Sequence, residues 1–229
     1  MKFIEKSREP KSLRDWKKAN KGLPHATDYE AISGDVKAAL RKAMRREQGD
    51  LCAYTMARID EFKGSHIEHV QPQKHYPERA TDYRNMVLCV PEKGPCEYGA
   101  IRKGDTRIDE SNFVSRFTES CEGRLRYRLS GRVVPASEAD AAAKSTIEIL
   151  NLNHQILINA RRDAFRAHGV ISAHGSLSAT QARCLSVSVL CRESSGRLPP
   201  YCVAVSQIAA AFARESAARA RRIMAKPTV

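Results

Sequence analysis

The sequence of 229 residues contains no long hydrophobic run. No apolar stretch approaches the roughly 20 residues that a helix needs to span a bilayer, so we expect no membrane association. The first residues, from Met1 to Lys6, lack the apolar stretch of a secretory signal. Together these absences predict a cytoplasmic protein.

Cysteines are few and odd in number, which disfavours a disulfide scaffold. Seven cysteines occur, and no secretion signal accompanies them. We therefore expect reduced thiols or metal ligands rather than disulfides. Three of them lie among apolar residues in the last third of the chain and are predicted to be small buried side chains: Cys184, Cys191 and Cys202.

Negative charge is also scarce. The chain has 26 Asp and Glu against 39 Lys and Arg, which gives a formal net charge of +13. Such an excess favours polyanionic partners such as nucleic acid, because neutralised phosphates release their condensed counterions. The alternative is a basic surface that binds nothing. The densest basic cluster comprises Arg214, Arg219, Arg221 and Arg222.

The apolar pattern predicts helices on both sides of an irregular middle segment. Val36, Leu40 and Met44 recur at helical spacing, and Gly49 supplies a stop for that helix. Residues 50–110 show no long periodic segment, which is typical of loops held by ligands. Alternation from 125 to 134 around a Ser-Gly turn predicts a β-hairpin.

Helices are predicted again in the last third of the chain. Ser137 and Asp140 are spaced like a capping box before a helix that runs towards Leu150, and Asn153 is predicted to cap the next helix. Two more helices are expected near 178–191 and 201–224. Four isolated histidines are interpreted as surface or cap residues: His25, His154, His168 and His174.

The segment from His66 to Pro72 concentrates the chemistry, because it places two imidazoles and a carboxylate within four residues. In a strand, His66 and Glu68 would share one face and His69 would lie on the other. Glu68 offers a hard oxygen ligand for a Mg²⁺-like ion. His69 can act as a general base, because an imidazole titrates near neutral pH.

Further motifs follow this segment in a fixed order: Glu68-His69-x-x-Pro72, Asn85-x-x-x-Cys89, Cys96 and Lys103-Gly104. This order is similar to that of the HNH (ββα-metal) nuclease family. The resemblance implies that Glu68 binds a divalent metal, Mg²⁺ or Mn²⁺, that His69 is the base, and that Asn85 pins the loop between strand and helix.

With this resemblance the expected fold is α+β. A mostly helical protein would carry an HNH core, residues 50–115, inserted between an N-terminal helical segment, 1–49, and a hairpin with C-terminal helices, 116–229.

A longer series of motifs, covering about residues 1–165, resembles the HNH subunit of Septu-type anti-phage systems, PtuB, including retron-linked versions. The series runs from Pro10, Leu13 and Trp16 through Gln48-Gly49 to the segment 146–153. That family implies an ATPase partner, PtuA, and restriction of phage by degradation of nucleic acid, with DNA expected more than RNA.

One departure from the family concerns zinc. The family carries Cys-x-x-Cys after the Gln-Gly element, but Thr55 stands where the second of these cysteines is expected. Three thiolates then remain for a structural zinc site: Cys52, Cys89 and Cys96. A fourth ligand could be His66, His75 or Cys121, and a metal-free group of reduced cysteines is the alternative.

A second departure concerns the catalytic metal. Ala100 stands where HNH enzymes have a His or Asn three residues before the Lys of the basic turn. The third ligand is therefore open among four candidates: His66, Glu97, Asp105 and Asp109. We expect His66 and Asp105 to join Glu68, and Lys103 to contact the scissile phosphate.

Two other functions stay open at this point. A degenerate HNH scaffold could bind nucleic acid or a partner without cleavage, which the absent ligand at position 100 favours. A purely structural zinc protein is the weaker alternative.

Overall fold

The computed structural model describes residues 1–24, 26–60, 64–171 and 177–224, with side chains as far as residue 219. His25 and His174, and the side chains of Arg221 and Arg222, lie outside these ranges. Within them the fold is α+β and mostly helical, with two small antiparallel sheets.

Two helices form the N-terminal part, α1 from Lys11–Ala19 and α2 from Gly34–Gln48. The buried residues Val36, Leu40 and Met44 of α2 recur every fourth position, as predicted. The helix ends at Gly49, which adopts a left-handed conformation with φ of 60° that glycine tolerates well.

The middle of the chain forms the first sheet and a short helix. Strand β1, His66–His69, pairs antiparallel with β2, Met86–Cys89. The connection between them contains two short 3-10 turns, Pro77–Arg79 and Tyr83–Asn85. Helix α3, Gly99–Lys103, follows β2, so the order is strand, strand, helix.

The predicted hairpin is confirmed. Helix α4, Cys121–Arg124, leads into β3, Leu125–Tyr127, which pairs antiparallel with β4, Val133–Pro135. Asn153 holds this second sheet in place, because its side chain accepts from the N–H of Val133 at 2.8 Å and donates to the oxygen of Val133 at 2.9 Å.

Four further helices follow, as expected: α5, Ala141–Ile149; α6, Gln155–Ala167; α7, Ala179–Ser188; and α8, Cys202–Met224. The predicted caps of the first two were wrong by a few residues. Asp140 itself caps α5, accepting from Ala143 N–H, and His154 caps α6 because Asn153 is engaged with β4. His154 and His168 are thus cap residues, as interpreted.

The prediction for the C-terminal cysteines holds only in part. Cys202 is fully buried, whereas Cys184 and Cys191 are exposed. The physical reason is the orientation of α7, which buries Ala182 and thereby turns Cys184 away from the core.

A continuous hydrophobic core joins all parts of the chain, from Met1 through Leu40 and Leu88 to Val205. This core fixes β2, since all four of its residues are buried. Among the helices described, none combines the length and the apolar character that crossing a membrane requires.

Candidate active site

The two faces of β1 separate the candidate site residues as the alternation predicted. His66 and Glu68 are half-buried on one face, and Ile67 and His69 are buried on the other. The backbone of Glu68 pairs with that of Val87, and the backbone of His66 with that of Cys89, so both residues lie directly beside the buried strand β2. The local geometry is therefore set by the core behind the sheet.

The carboxylate of Glu68 has different surroundings at its two oxygens. Oε1 lies 2.8 Å from Nζ of Lys103 and accepts from the hydroxyl of Tyr54 at 3.4 Å. Oε2 faces Nε2 of His66 at 3.8 Å. Burial raises the pKa of the Glu68 carboxyl, while the ammonium of Lys103 opposes that shift.

His66 is held in one tautomer by the backbone. Its Nδ1 lies 2.7 Å from the carbonyl oxygen of Pro91, and a carbonyl oxygen can only accept, so Nδ1 carries the proton. In the neutral ring the lone pair is then on Nε2, the atom that faces Glu68. Metal-binding histidines commonly have this arrangement, with the other ring nitrogen donating to a backbone carbonyl.

His69 is 6% exposed and is also fixed by hydrogen bonds. Its Nε2 donates to the oxygen of Ala80 at 2.8 Å, and its Nδ1 accepts from Nε2 of Gln73 at 3.2 Å. Burial lowers the pKa of His69 below its usual value, which favours the neutral ring at neutral pH. Nδ1 is therefore the nitrogen that can take up a proton.

Asn85 clamps the loop that follows β1. Its side chain accepts from the N–H of Gln71 at 2.8 Å and donates to the oxygens of Gln71 at 2.9 Å and Arg79 at 3.3 Å. This loop joins β1 to β2, rather than a strand to a helix as the family resemblance implied. The clamp holds the chain directly after His69, so Asn85 positions that residue and is itself only 1% exposed.

Lys103, expected to contact the scissile phosphate, is instead buried and directed inward. Only 1% of its side chain is exposed, and Nζ donates to the oxygens of His69 at 3.3 Å and Gly104 at 3.0 Å. Helix α3 thus inserts a cation between Glu68 and the backbone of His69. Ala100, on the same helix, is 2% exposed.

The other predicted metal ligands lie elsewhere. Asp105 is exposed, and its carboxylate lies 4.0 Å from Lys74. Glu97 contacts His154, and Asp109 caps the turn at Ser111. Across the described ranges, no three His, Cys, Asp or Glu residues stand close enough together to hold a metal ion.

The thiols predicted for zinc are only partly assembled. Burial would raise the pKa of Cys52, but hydrogen bonds from Cys89 and from the side chain and backbone of Thr55 outweigh it and lower that pKa to about 5. Cys89, fully buried, has a pKa raised by burial. Cys96 instead donates to the oxygen of Tyr98 at 3.4 Å. Of the candidates for a fourth ligand, His75 is exposed and Cys121 is buried.

Several residues at the site were not predicted. The ring of Tyr29 meets the ring of His69 edge-on at 4.8 Å. The guanidinium of Arg116 lies 3.8 Å from the centre of the Tyr54 ring, and its Nε and Nη1 have no hydrogen-bond partner within the described structure. No sequence pattern marks these contacts, since each joins residues far apart in the chain.

Sequence profiles of known protein families give no match to this chain, and no curated protein matches it.

Proposed function

We propose that this protein is a metal-dependent endonuclease of the HNH type, with DNA expected as the substrate more than RNA. The observation that carries the proposal is the pair formed by Nε2 of His66 and Oε2 of Glu68, 3.8 Å apart on one face of β1. The strand-strand-helix order of β1, β2 and α3 agrees with a ββα core, and the net charge of +13 suits a polyanionic substrate.

The donor set of this pair fits a divalent ion. One carboxylate oxygen and one imidazole nitrogen with its lone pair available suit a transition ion such as Mn²⁺, whereas Mg²⁺ would bind through the Glu68 oxygen and water. His66 and Glu68 would hold the ion, and water and the phosphate would complete its ligands. When bound, a divalent ion stabilises negative charge on the phosphate and on the departing oxygen.

His69 performs the proton transfer in this proposal. Its buried, neutral ring can accept a proton at Nδ1 from the attacking water, after Gln73 has yielded that position. The hydrogen bond from Nε2 to Ala80 then stabilises the protonated ring. Asn85 keeps His69 in place, and Lys103 holds the Glu68 carboxylate through their buried ion pair.

The longer motif resemblance, over about residues 1–165, also suggests a biological role. It suggests that the protein acts with a PtuA-type ATPase in defence against phage. This part rests on the resemblance alone.

The experiment is plasmid cleavage by the full chain with Mg²⁺, Mn²⁺ or EDTA. We expect cleavage with either metal, none in EDTA, and loss of cleavage in Glu68→Gln. His75→Ala is the matched control, because His75 lies in the loop after β1 with its side chain exposed. Equal cleavage by wild type and Glu68→Gln would refute the proposed metal site.

A second function, a binding module without cleavage, is favoured by one specific contact. Lys103 already neutralises Glu68, and the buried Ala100 supplies no ligand from α3. If the protein is such a binding module, DNA binds with the same affinity in EDTA and in Mn²⁺, and no metal supports cleavage even with an ATPase partner present.

A further inference from the structure

A row of cations follows the solvent side of α2. Lys37, Arg41 and Arg45 are spaced four residues apart and lie along one side of the helix, with Lys42 and Arg46 beside them. From the first to the last of the three, the row is about 12 Å long at the helical rise of 1.5 Å per residue.

Four of these cations, Arg41, Lys42, Arg45 and Arg46, line a groove with a volume of about 570 Å³. One wall is α2, and the other is the turn at 195–196. Arg192 fixes that turn to the helix end, since its guanidinium donates to the oxygens of Arg46 at 2.8 Å and Glu47 at 2.7 Å. The second wall is thus held by the backbone of α2 itself.

Positive charge in this groove is only partly neutralised by the carboxylate that lines it. Asp50 is engaged by two guanidinium groups, Arg45 at 2.7 Å and Arg197 at 3.0 Å. Lys37, outside the groove, pairs with Glu30 at 3.1 Å, whereas within the described residues Arg41, Lys42 and Arg46 have no carboxylate within ion-pair distance. The groove therefore has an excess of positive charge available to a ligand.

The row begins beside the candidate active site. Nζ of Lys37 lies 4.4 Å from the centre of the Tyr29 ring, and the same ring contacts His69. Arg41 is close enough to Tyr29 for its charge to act on the phenol. Tyr29 thus connects the basic row to the proposed general base.

We propose that the α2 groove binds the phosphodiester backbone of a nucleic acid strand and leads it to His69. The part of this inference that leads the bound strand to His69 rests on the proposed function. Several phosphates fit along about 12 Å of a duplex, which carries one charge per 1.7 Å of its axis. Protein interfaces have aromatic or apolar anchors at their centre, whereas the apolar lining of this groove is limited to Ala38 and Gly196.

The test removes three charges from the groove and measures DNA binding. The variant carries Arg41→Gln, Lys42→Gln and Arg46→Gln. The control carries Arg126→Gln, Arg128→Gln and Arg132→Gln, three exposed arginines of the hairpin that packs on α8. Both lose the same charge, and melting temperatures verify that both are folded. Binding of a labelled duplex of about 20 base pairs is followed by fluorescence anisotropy in EDTA across a salt series.

We expect the groove variant to bind roughly ten-fold or more weakly at about 100 mM salt, and its salt-dependence slope to fall by about one unit for each phosphate that is no longer neutralised. The control should change affinity by less than about three-fold. Equal losses of affinity in both variants, unchanged affinity in the groove variant, or a wild-type chain that does not bind the duplex would each overturn the proposal.

Cleavage assays separate this inference from the proposed function. If wild type binds through the groove but cleaves with no metal, the nuclease proposal fails and the binding surface stands. If the groove variant cleaves with the KM of wild type, the groove proposal fails and the nuclease stands. We expect a raised KM with kcat nearly unchanged.

Discussion

Nζ of Lys103 lies 2.8 Å from Oε1 of Glu68, with 1% of the lysine side chain exposed. This ion pair joins α3 to β1 and occupies one oxygen of the carboxylate, which leaves Oε2 facing His66. A charge buried this far is costly unless its partner is present. Lys103 therefore stabilises the ionised form of the proposed metal ligand.

Removing one partner of this ion pair should lower the free energy of unfolding more than removing both partners. We expect Lys103→Ala to lower the free energy of unfolding by about 3–5 kcal/mol, because Glu68 is left as an uncompensated buried charge. The double variant Lys103→Met with Glu68→Gln should recover much of that loss. Urea denaturation measures both, and a double variant less stable than Lys103→Ala would contradict the account.

The Asn85 clamp should matter for both stability and activity. Asn85 is buried and makes three hydrogen bonds to the loop after β1, so Asn85→Ala should cost about 2–3 kcal/mol of unfolding free energy. Cleavage should fall with it, because the loop holds His69. Asn153→Ala is the matched control, since Asn153 clamps Val133 with the same two types of bond. Asn153→Ala should lower the free energy of unfolding but keep the wild-type cleavage rate under conditions where the variant is folded. If its cleavage rate fell as well, the effect of Asn85→Ala would not be specific to the loop that holds His69.

Acid should weaken the N-terminus of α5. The guanidinium of Arg124 and the N–H of Ala143 hold the pKa of Asp140 below its usual value of 3.8. The carboxylate therefore contributes stability above the unfolded pKa, and this contribution is lost as pH falls through the lower folded pKa. Asp140→Asn should be less stable than wild type at pH near 7, with the difference shrinking as the pH falls below 3.8 in urea titrations. A constant difference would exclude this linkage.

Thr55 occupies the position at which a cysteine would complete a four-cysteine zinc site. Thr55 is buried, and its hydroxyl bonds to Cys52, so a thiol at this position would lie beside Cys52 and Cys89. We expect Thr55→Cys to raise the zinc content of the purified protein above that of wild type, as metal analysis would measure. Thr55→Val is the control of similar size without a ligand. Equal zinc in all three proteins would show that position 55 does not limit zinc binding.

Local periodicity predicted much of this structure. The opposite orientation of Glu68 and His69, the helix up to Gly49 and the hairpin after Leu125 follow from patterns within a few residues, because each depends on short-range geometry. The helix caps were missed by a few residues where Asn153 bonds to a distant strand instead of capping the helix that follows it.

The contacts that define the site could not be predicted in the same way. Lys103 reaches Glu68 across 35 positions of the chain, and Tyr29 meets His69 across 40, through the packing of separate elements. No periodicity reports such distances. The exposed position of Asp105 could not be predicted from residue spacing either, because the turn after α3 directs its side chain to solvent near Lys74.

The central claim is that His69 transfers the proton during metal-dependent cleavage, and the rate of DNA cleavage by His69→Ala under saturating Mn²⁺ tests it most directly. General-base catalysis contributes about 10²–10⁴-fold. We predict a rate at least about 100-fold below wild type, with His75→Ala unchanged and the fold of both variants intact. Cleavage by His69→Ala at the wild-type rate would contradict the account.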